Sequence, residues 1–284
     1  MPKELPKIIK GDGSREVFDP EKLKDSLVRA HASVLVADDI VEKITKEIRV
    51  GMTTSQIYER AFDLLNTKSK RIAMKYSIKR SVMNLGPTGF PFEKYIAEIF
   101  NKKGFTTKTG QMMQGKCLEH ELDVVAWNDK DLFLMEVKFH NENIIKSDTK
   151  VALYVKSRFD DLYSQTFKIE GKDRKMTRGI LITNTKFTDN AKQYAECVGT
   201  FDMISWDYPR KGNLYDMIDE TKMYPMTCIS ILSHKNKQEL LKRGIVNCMS
   251  LKDKSAVLRE IGVPPEKIED ITQNIENLCI PEGL

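Results

Sequence analysis

The chain has 284 residues, 40% of them hydrophobic and 31% charged, which is typical of a globular protein with two or three domains and excludes a wholly disordered tail. Its formal net charge of +5 permits a nucleic-acid partner without requiring one. No segment has the run of about 18 apolar residues that a membrane span needs, and the five cysteines form no C-x-x-C pair. We therefore expect a cytoplasmic protein with no membrane segment and no zinc or redox centre.

The first 88 residues predict a β-hairpin followed by a helical bundle. Short apolar and polar runs at 8–10 and 16–18 flank a glycine turn, which favours a hairpin. Apolar residues at helical spacing, together with capping residues, then predict four helices. These helices follow Asp19-Pro20, contain Ile40 to Ile48, begin at Thr53 or Thr54, and span 72–82.

Two runs, IKGDGSRE at 9–16 and FDPEKL at 18–23, cover the predicted hairpin and the start of the first helix. Through these runs the segment resembles the ATP-cone, a nucleotide-binding regulatory domain best known from ribonucleotide reductases. The resemblance implies that the domain binds ATP or dATP, and lysines beside a glycine turn do suit triphosphate oxygens. The residues that it assigns to nucleotide binding are Lys10, Glu16, Lys22 and Thr54.

The chain departs from the cone pattern at Gly11, where an arginine is usual, and at Tyr58, where a histidine is common. Lys79 and Arg80 either replace lost cationic contacts or form a solvated face. The alternative to a nucleotide sensor is a cone kept as a structural or dimerising module.

Residues 85–91 read as a linker, because glycine and proline break any helix there. The second domain, 89–215, is predicted to be α/β (mixed α+β), with a mixed sheet flanked by helices. Its elements are a helix with Phe92, Ile96 and Phe100, strands at 105–109, 120–127 and 132–138, a long helix at 147–167, a strand at 179–183, a helix at 188–197 and a strand at 201–206.

Three charged residues of this domain point to chemistry. Glu136 and Lys138 alternate with Val137 on one strand, so they share a face, and hairpin pairing sets Asp123 beside them. Two carboxylates suit Mg²⁺, which acts on phosphodiesters, and a lysine can orient or deprotonate the attacking water. Glu93, on the preceding helix, is a further carboxylate. The alternative is an ion pair on a solvated sheet face, but the strand at 132–137 is otherwise strongly apolar.

The domain contains a series of motifs which are, in order, Glu93, HELD at 120–123, EVK at 136–138, GILITN at 179–184 and FT at 187–188. In the order and spacing of these motifs it resembles the Mrr-type restriction endonuclease family of the PD-(D/E)xK superfamily. The resemblance implies a DNA substrate, Mg²⁺ or Mn²⁺ held by Asp123 and Glu136, and Lys138 assisting the nucleophile. Gln165 is a candidate for the family's auxiliary glutamine.

The remaining residues, 222–284, predict a small helical domain. Its glycine turns faintly resemble helix-hairpin-helix or SAM-like modules, and a packing or oligomerisation domain is the alternative. The basic loop at 168–178 either touches DNA or is simply solvated.

The sequence therefore predicts a divalent-metal-dependent DNA endonuclease regulated by ATP or dATP. A homo-oligomeric assembly and a role against foreign DNA are secondary expectations. The alternative is a nucleotide-responsive DNA-binding or regulatory protein whose nuclease fold no longer cuts.

Overall fold

A computed structural model describes residues 5–254 and 256–279. The described residues form two compact units, and each is presented by itself. The first comprises those of Met1–Arg80, Cys228–Ile231 and Pro264–Leu284, and the second those of Ser81–Thr227 and Leu232–Val263. None of the helices in this part of the chain has the length and apolarity that a membrane crossing needs.

A β-hairpin and a helical bundle open the chain, as predicted. The hairpin strands are antiparallel, with Ile8 opposite Glu16. Asp19 caps the first helix and Thr53 caps the third through a capping box with Gln56. The elements are β1 (Lys7–Ile9), β2 (Arg15–Val17), α1 (Pro20–Arg29), α2 (Val34–Glu47), α3 (Thr54–Lys68), α4 (Lys70–Tyr76) and α5 (Ile78–Met83).

The fourth predicted helix is in fact two. The chain breaks at Ser77, whose hydroxyl bonds back to the carbonyl of Met74. A side-chain hydroxyl that competes for a helix carbonyl favours such a break.

The second unit is built on a five-stranded mixed sheet with helices on its faces, which confirms the predicted fold class. The strand order is β11-β9-β5-β4-β3, antiparallel across β3, β4 and β5 and parallel across β5, β9 and β11. Its elements up to the end of β5 are α6 (Phe90–Lys102), β3 (Thr106–Gln114), β4 (Glu119–Trp127) and β5 (Leu132–Lys138).

Of the elements that follow β5, α7, β9, α8 and β11 contribute to one face of this sheet and to its far edge, whereas α13 belongs to the first unit. Leu134 of β5, Leu181 and Phe159 share one buried apolar cluster. The elements are β6 (Lys146–Ser147), α7 (Thr149–Tyr163), β7 (Thr166–Ile169), β8 (Lys172–Lys175), β9 (Arg178–Thr183), β10 (Lys186–Phe187), α8 (Asp189–Val198), β11 (Phe201–Ile204), α9 (Leu214–Thr221), α10 (His234–Lys242), α11 (Cys248–Asp253), α12 (Ala256–Glu260) and α13 (Pro265–Cys279).

Three predicted elements of this unit were wrong in extent or kind. The first strand continues to Gln114 rather than ending at 109. The long helix stops at Tyr163 rather than 167, and the basic segment predicted as a loop is the antiparallel hairpin of β7 and β8. Phe167 is buried in the apolar cluster, so tertiary packing rather than local charge decides this segment.

Close packing brings α7 down onto the sheet. Gly179 of β9 has no side chain, and an added Cβ would lie 2.4 Å from the ring of Phe159. The absence of that carbon lets Phe159 rest on the strand, which sets the height of α7 above β5 and β9.

Candidate active site

The strands that carry the predicted site separate where the charged residues begin. Pairing between β4 and β5 runs from Trp127 opposite Leu132 to Val124 opposite Met135 and stops there. Asp123 and Glu136 are the next residues on each strand. The ladder with β3 also omits Asp123, opposite Gly110, whose φ is +59°. Asp123 therefore lies where both of its strand ladders are interrupted.

The side chain of Asp123 bridges this separation. Its Oδ2 accepts a hydrogen bond of 2.6 Å from the backbone amide of Val137. Within the described part of the chain, its Oδ1 accepts no hydrogen bond, so that oxygen is available to a ligand. The bond holds the Asp123 carboxylate against the residue between Glu136 and Lys138.

Glu136 is the most buried charged group of the site, with only 3% of the residue exposed. One carboxylate oxygen bonds to the ammonium of Lys138. The other accepts from the guanidinium of Arg158 at 2.5 Å. A buried anion requires such partners, because desolvation without them is costly. The structure thus brings Asp123, Glu136 and Lys138 together at one edge of the strand separation.

Glu93 faces the same group from the first turn of α6, which packs on β3 and β4. Burial raises the pKa of the Glu93 carboxyl to about 7, and the negative charges of Asp123, Glu121 and Glu136 act in the same direction. Burial likewise raises the pKa of Asp123 to about 6, with the charge of Glu136 next in importance. The raised values report acidic groups crowded in a partly desolvated place.

The donor set fits a divalent cation. It consists of hard carboxylate oxygens, including the free Oδ1 of Asp123, which are the ligands that Mg²⁺ and Mn²⁺ take. Among the described residues, no three acidic, histidine or cysteine side chains converge closely enough to hold an ion by themselves. A cation at Asp123 and Glu136 would therefore complete its shell with water and substrate oxygens, as Mg²⁺ commonly does.

Two residues that support this site were not predicted to do so. Arg158 and Asp161 lie on α7, and Asp161 accepts bonds from the amides of Cys117 and Leu118 and pairs with His120 at 2.8 Å. The His120 bond is the largest cause that lowers the pKa of Asp161, to about 2. The spacing of three residues between Arg158 and Asp161 indicates a shared helix face, but it does not indicate which strand that face contacts.

Two further polar residues bond to groups other than the carboxylates. His140 bonds to Ser147 at 3.0 Å, and burial, followed by the positive charge of Lys138, lowers its pKa. Gln165, a candidate for the auxiliary glutamine, bonds to the hydroxyl of Ser164 at the end of α7, and the structure does not bring it to the carboxylates.

The predicted nucleotide residues of the first unit lie around the hairpin. Glu16 pairs with Lys10 at 3.5 Å and with Lys22 at 3.6 Å. The amide of Ile9 bonds to the carbonyl of Met52, next to the residue that caps α3, so the exposed Thr54 begins α3 beside the hairpin.

Arg80 is engaged by the helix α3 rather than forming a solvated face. It bonds to Ser55 and Glu59, and its guanidinium lies 3.7 Å from the ring centre of Tyr58. Tyr76 stacks on the same ring at 4.9 Å. Both faces of Tyr58, the position where the family often has histidine, are therefore covered.

Comparisons with known proteins give the same order of domains. The ATP cone domain matches residues 6–83, the restriction endonuclease domain 87–208, and the AF1548-like carboxy-terminal domain 224–279. An uncharacterized protein of Archaeoglobus fulgidus is 34% identical over 177 residues, which is 62% of this chain and 95% of that protein. The crystal structure of a protein of unknown function, AF1548, is 30% identical with a TM-score of 0.53, covering 68% of this chain and 98% of that one. The chain thus belongs to the family of this Archaeoglobus protein and joins an ATP cone to an Mrr-type restriction endonuclease domain and an AF1548-like carboxy-terminal domain.

Proposed function

We propose that the protein is a divalent-metal-dependent DNA endonuclease whose activity is regulated by ATP or dATP. The single observation that carries the hydrolytic part is the strand separation, at which Asp123, Glu136 and Lys138 meet. The restriction endonuclease match over 87–208 supports DNA as the substrate.

Asp123 and Glu136 would hold Mg²⁺ or Mn²⁺. When bound, such a cation supplies positive charge to the phosphodiester and lowers the pKa of water. Lys138 and Arg158 pair with the carboxylate of Glu136 and balance its charge in a buried place. Lys138, with about a third of its side chain exposed, is accessible to orient the attacking water and to offset charge in the transition state.

The nucleotide part rests on the hairpin and on α3. Lys10 and Lys22 flank Glu16 beside the amino-terminal end of a 15-residue helix, where unbonded amides and the helix dipole favour anions. We assign the triphosphate to these lysines and a hydroxyl contact to Thr54. Tyr58 does not stack on the base, because Tyr76 and Arg80 already cover its ring.

The test of the nuclease is cleavage of supercoiled plasmid by the full-length protein. We expect nicking or linearisation with Mg²⁺ or Mn²⁺ and none with chelator, and Lys138→Ala should lower the rate about 10²–10⁴-fold, the range for loss of a positioned acid–base group. Lys130→Ala, at the exposed β4–β5 turn, is the matched control and should cut at the wild-type rate.

Regulation is tested by adding ATP or dATP to the same reactions. A change in cleavage rate that Lys10→Ala abolishes supports the nucleotide site. Specific DNA binding with no cleavage under any cation would instead assign the protein as a DNA-binding or regulatory member of this fold.

A further inference from the structure

Arg158 lies at the centre of the strand separation although it belongs to α7. One guanidinium nitrogen bonds to Glu136 at 2.5 Å, and another bonds to the backbone carbonyl of Glu121 on β4. Its side chain is only 13% exposed. The guanidinium therefore ties β4 to β5 just beyond the last paired residues, Val124 and Met135.

Two residues that follow Arg158 on α7 hold it in position. Phe159 packs against Gly179, where an added Cβ would lie 2.4 Å from the ring. Asp161 binds the β3–β4 turn through the amides of Cys117 and Leu118. With α7 anchored at both points, Arg158 is presented to Glu136 rather than reaching it by chance.

The negative charge of Glu136 explains why the guanidinium of Arg158 is held beside it. Glu136 is nearly inaccessible to water, so its negative charge needs compensation when no metal is bound. Lys138 supplies part of it, and Arg158 supplies the rest with a planar group that also satisfies a strand carbonyl. A divalent ion at Asp123 and Glu136 would bring further positive charge to the same carboxylate, and like charges a few ångströms apart repel.

We propose that Arg158 is the resident counter-cation of Glu136: it holds this carboxylate in the metal-free protein and gives up its bond to Glu136 when the divalent ion binds. The inference rests on the proposed metal site. It makes Arg158 a positioning residue that weakens metal binding, so that the site fills only where the ion is abundant or where DNA phosphate adds negative charge.

The test is calorimetric titration of the full-length protein with Mn²⁺ and with Mg²⁺. Arg158→Gln removes the charge, so it should bind the ion about tenfold more tightly, or more, as expected when a like charge is removed within a few ångströms of a partly buried site. Arg158→Lys keeps the charge and should bind within about threefold of wild type. The matched control is Arg178→Gln, which breaks the ion pair between Arg178 at the start of β9 and Asp202 on β11 and should leave the affinity for the ion unchanged.

Thermal unfolding separates this role from a purely structural one. In chelator Arg158→Gln should melt below wild type, and saturating Mn²⁺ should raise its melting temperature by more than it raises that of wild type. Equal increments, or an affinity equal to or weaker than that of wild type, would overturn the inference and leave the metal site standing. Failure of both proteins to bind either ion would overturn both proposals.

A measurement on the wild-type protein covers the case in which Arg158→Gln does not fold. With ¹⁵N-labelled arginine, the Arg158 guanidinium resonance, assigned by its absence from Arg158→Lys, should shift on addition of Mg²⁺, whereas that of Arg178 should not. An Arg158 resonance that stays in place at saturating Mg²⁺ contradicts the inference.

Discussion

The carboxylate of Asp123 accepts a hydrogen bond of 2.6 Å from the backbone amide of Val137, in place of a backbone hydrogen bond between the strands. The pairing of β4 with β5 has already ended one residue earlier. The side chain of Asp123 thus links β4 to β5 and also lies beside Glu136 and Lys138. Structural and functional roles at this position are predicted to separate on substitution.

Asparagine and alanine at 123 should give different outcomes. Asp123→Asn keeps an acceptor for Val137, so its free energy of unfolding should stay close to that of wild type while Mn²⁺ binding and cleavage are lost. Asp123→Ala leaves a buried amide without a partner, which should cost about 1–3 kcal/mol in addition. Urea unfolding and calorimetry measure the two effects. Tight Mn²⁺ binding by Asp123→Asn would contradict the assignment of this ligand.

The pKa of Glu93 predicts a pH dependence of stability. Because the pKa rises from an ordinary value of 4.5 to about 7 in the folded protein, the folded state holds this proton more tightly than the unfolded chain does. The contribution of the protonated Glu93 to the free energy of unfolding is fully present below about pH 4.5 and is lost as the pH rises through about 7.

Glu93→Gln cannot ionise and should therefore gain stability relative to wild type between about pH 5 and about pH 8, by about 1 kcal/mol once solvent screening of a half-buried group is considered. Chemical unfolding in chelator at several pH values measures the difference. A difference that does not vary with pH would show that Glu93 titrates normally.

Gly179→Ala tests the close approach of α7. The added carbon would meet the Phe159 ring at 2.4 Å, so we expect a loss of about 1–3 kcal/mol, the usual cost of overpacking. Because the helix must shift, Arg158 should also lose its bond to Glu136. Combining the change with Phe159→Leu should restore part of the stability, and thermal unfolding of both variants measures it. An unchanged melting temperature in Gly179→Ala would contradict the proposed contact.

Lys10→Ala tests the nucleotide site. Loss of a cation beside the hairpin turn should weaken ATP binding about tenfold, since hydrogen bonds to charged groups contribute about 1.5–3 kcal/mol. Lys46→Ala, in an exposed pair with Glu42 on α2, is the control and should bind as wild type does. Equal affinity in all three proteins would contradict the role of Lys10, whereas a wild-type protein that binds no ATP would indicate a cone that is only structural or dimerising.

The β7–β8 hairpin presents three exposed lysines, Lys168, Lys172 and Lys175, and we expect them to contact DNA phosphates. Replacing all three by alanine should weaken DNA binding and reduce the slope of log affinity against log salt by about 1 per lost phosphate contact. Fluorescence anisotropy over a salt series measures this. An unaltered slope would mean that the hairpin is merely solvated.

Local patterns were sufficient for the elements and for the site strand. Asp19 and Thr53 could be read as caps, and the alternation of Glu136, Val137 and Lys138 gave their shared face, since both signals depend on neighbours in the chain. The hairpin that joins β4 to β5 could also be predicted from its turn residues, so Asp123 could be placed beside Glu136 and Lys138.

The ends of elements were less accessible. The segment after Tyr163 has the polar character of a helix continuation, yet Phe167 is drawn into the core and the chain forms a strand there. Such a choice depends on a buried partner that is distant in sequence.

By itself, then, the sequence determined two domain types and the three residues at the strand edge, because spacing along a strand and a short hairpin bring those residues together. Only the tertiary structure decided that Arg158 meets Glu136. That contact depends on the height of α7 above the sheet, which is set by the absence of a side chain at Gly179 and by the bonds of Asp161 to amides of the β3–β4 turn. The spacing of neighbouring residues in the chain does not determine the distance between a helix and the sheet on which it packs.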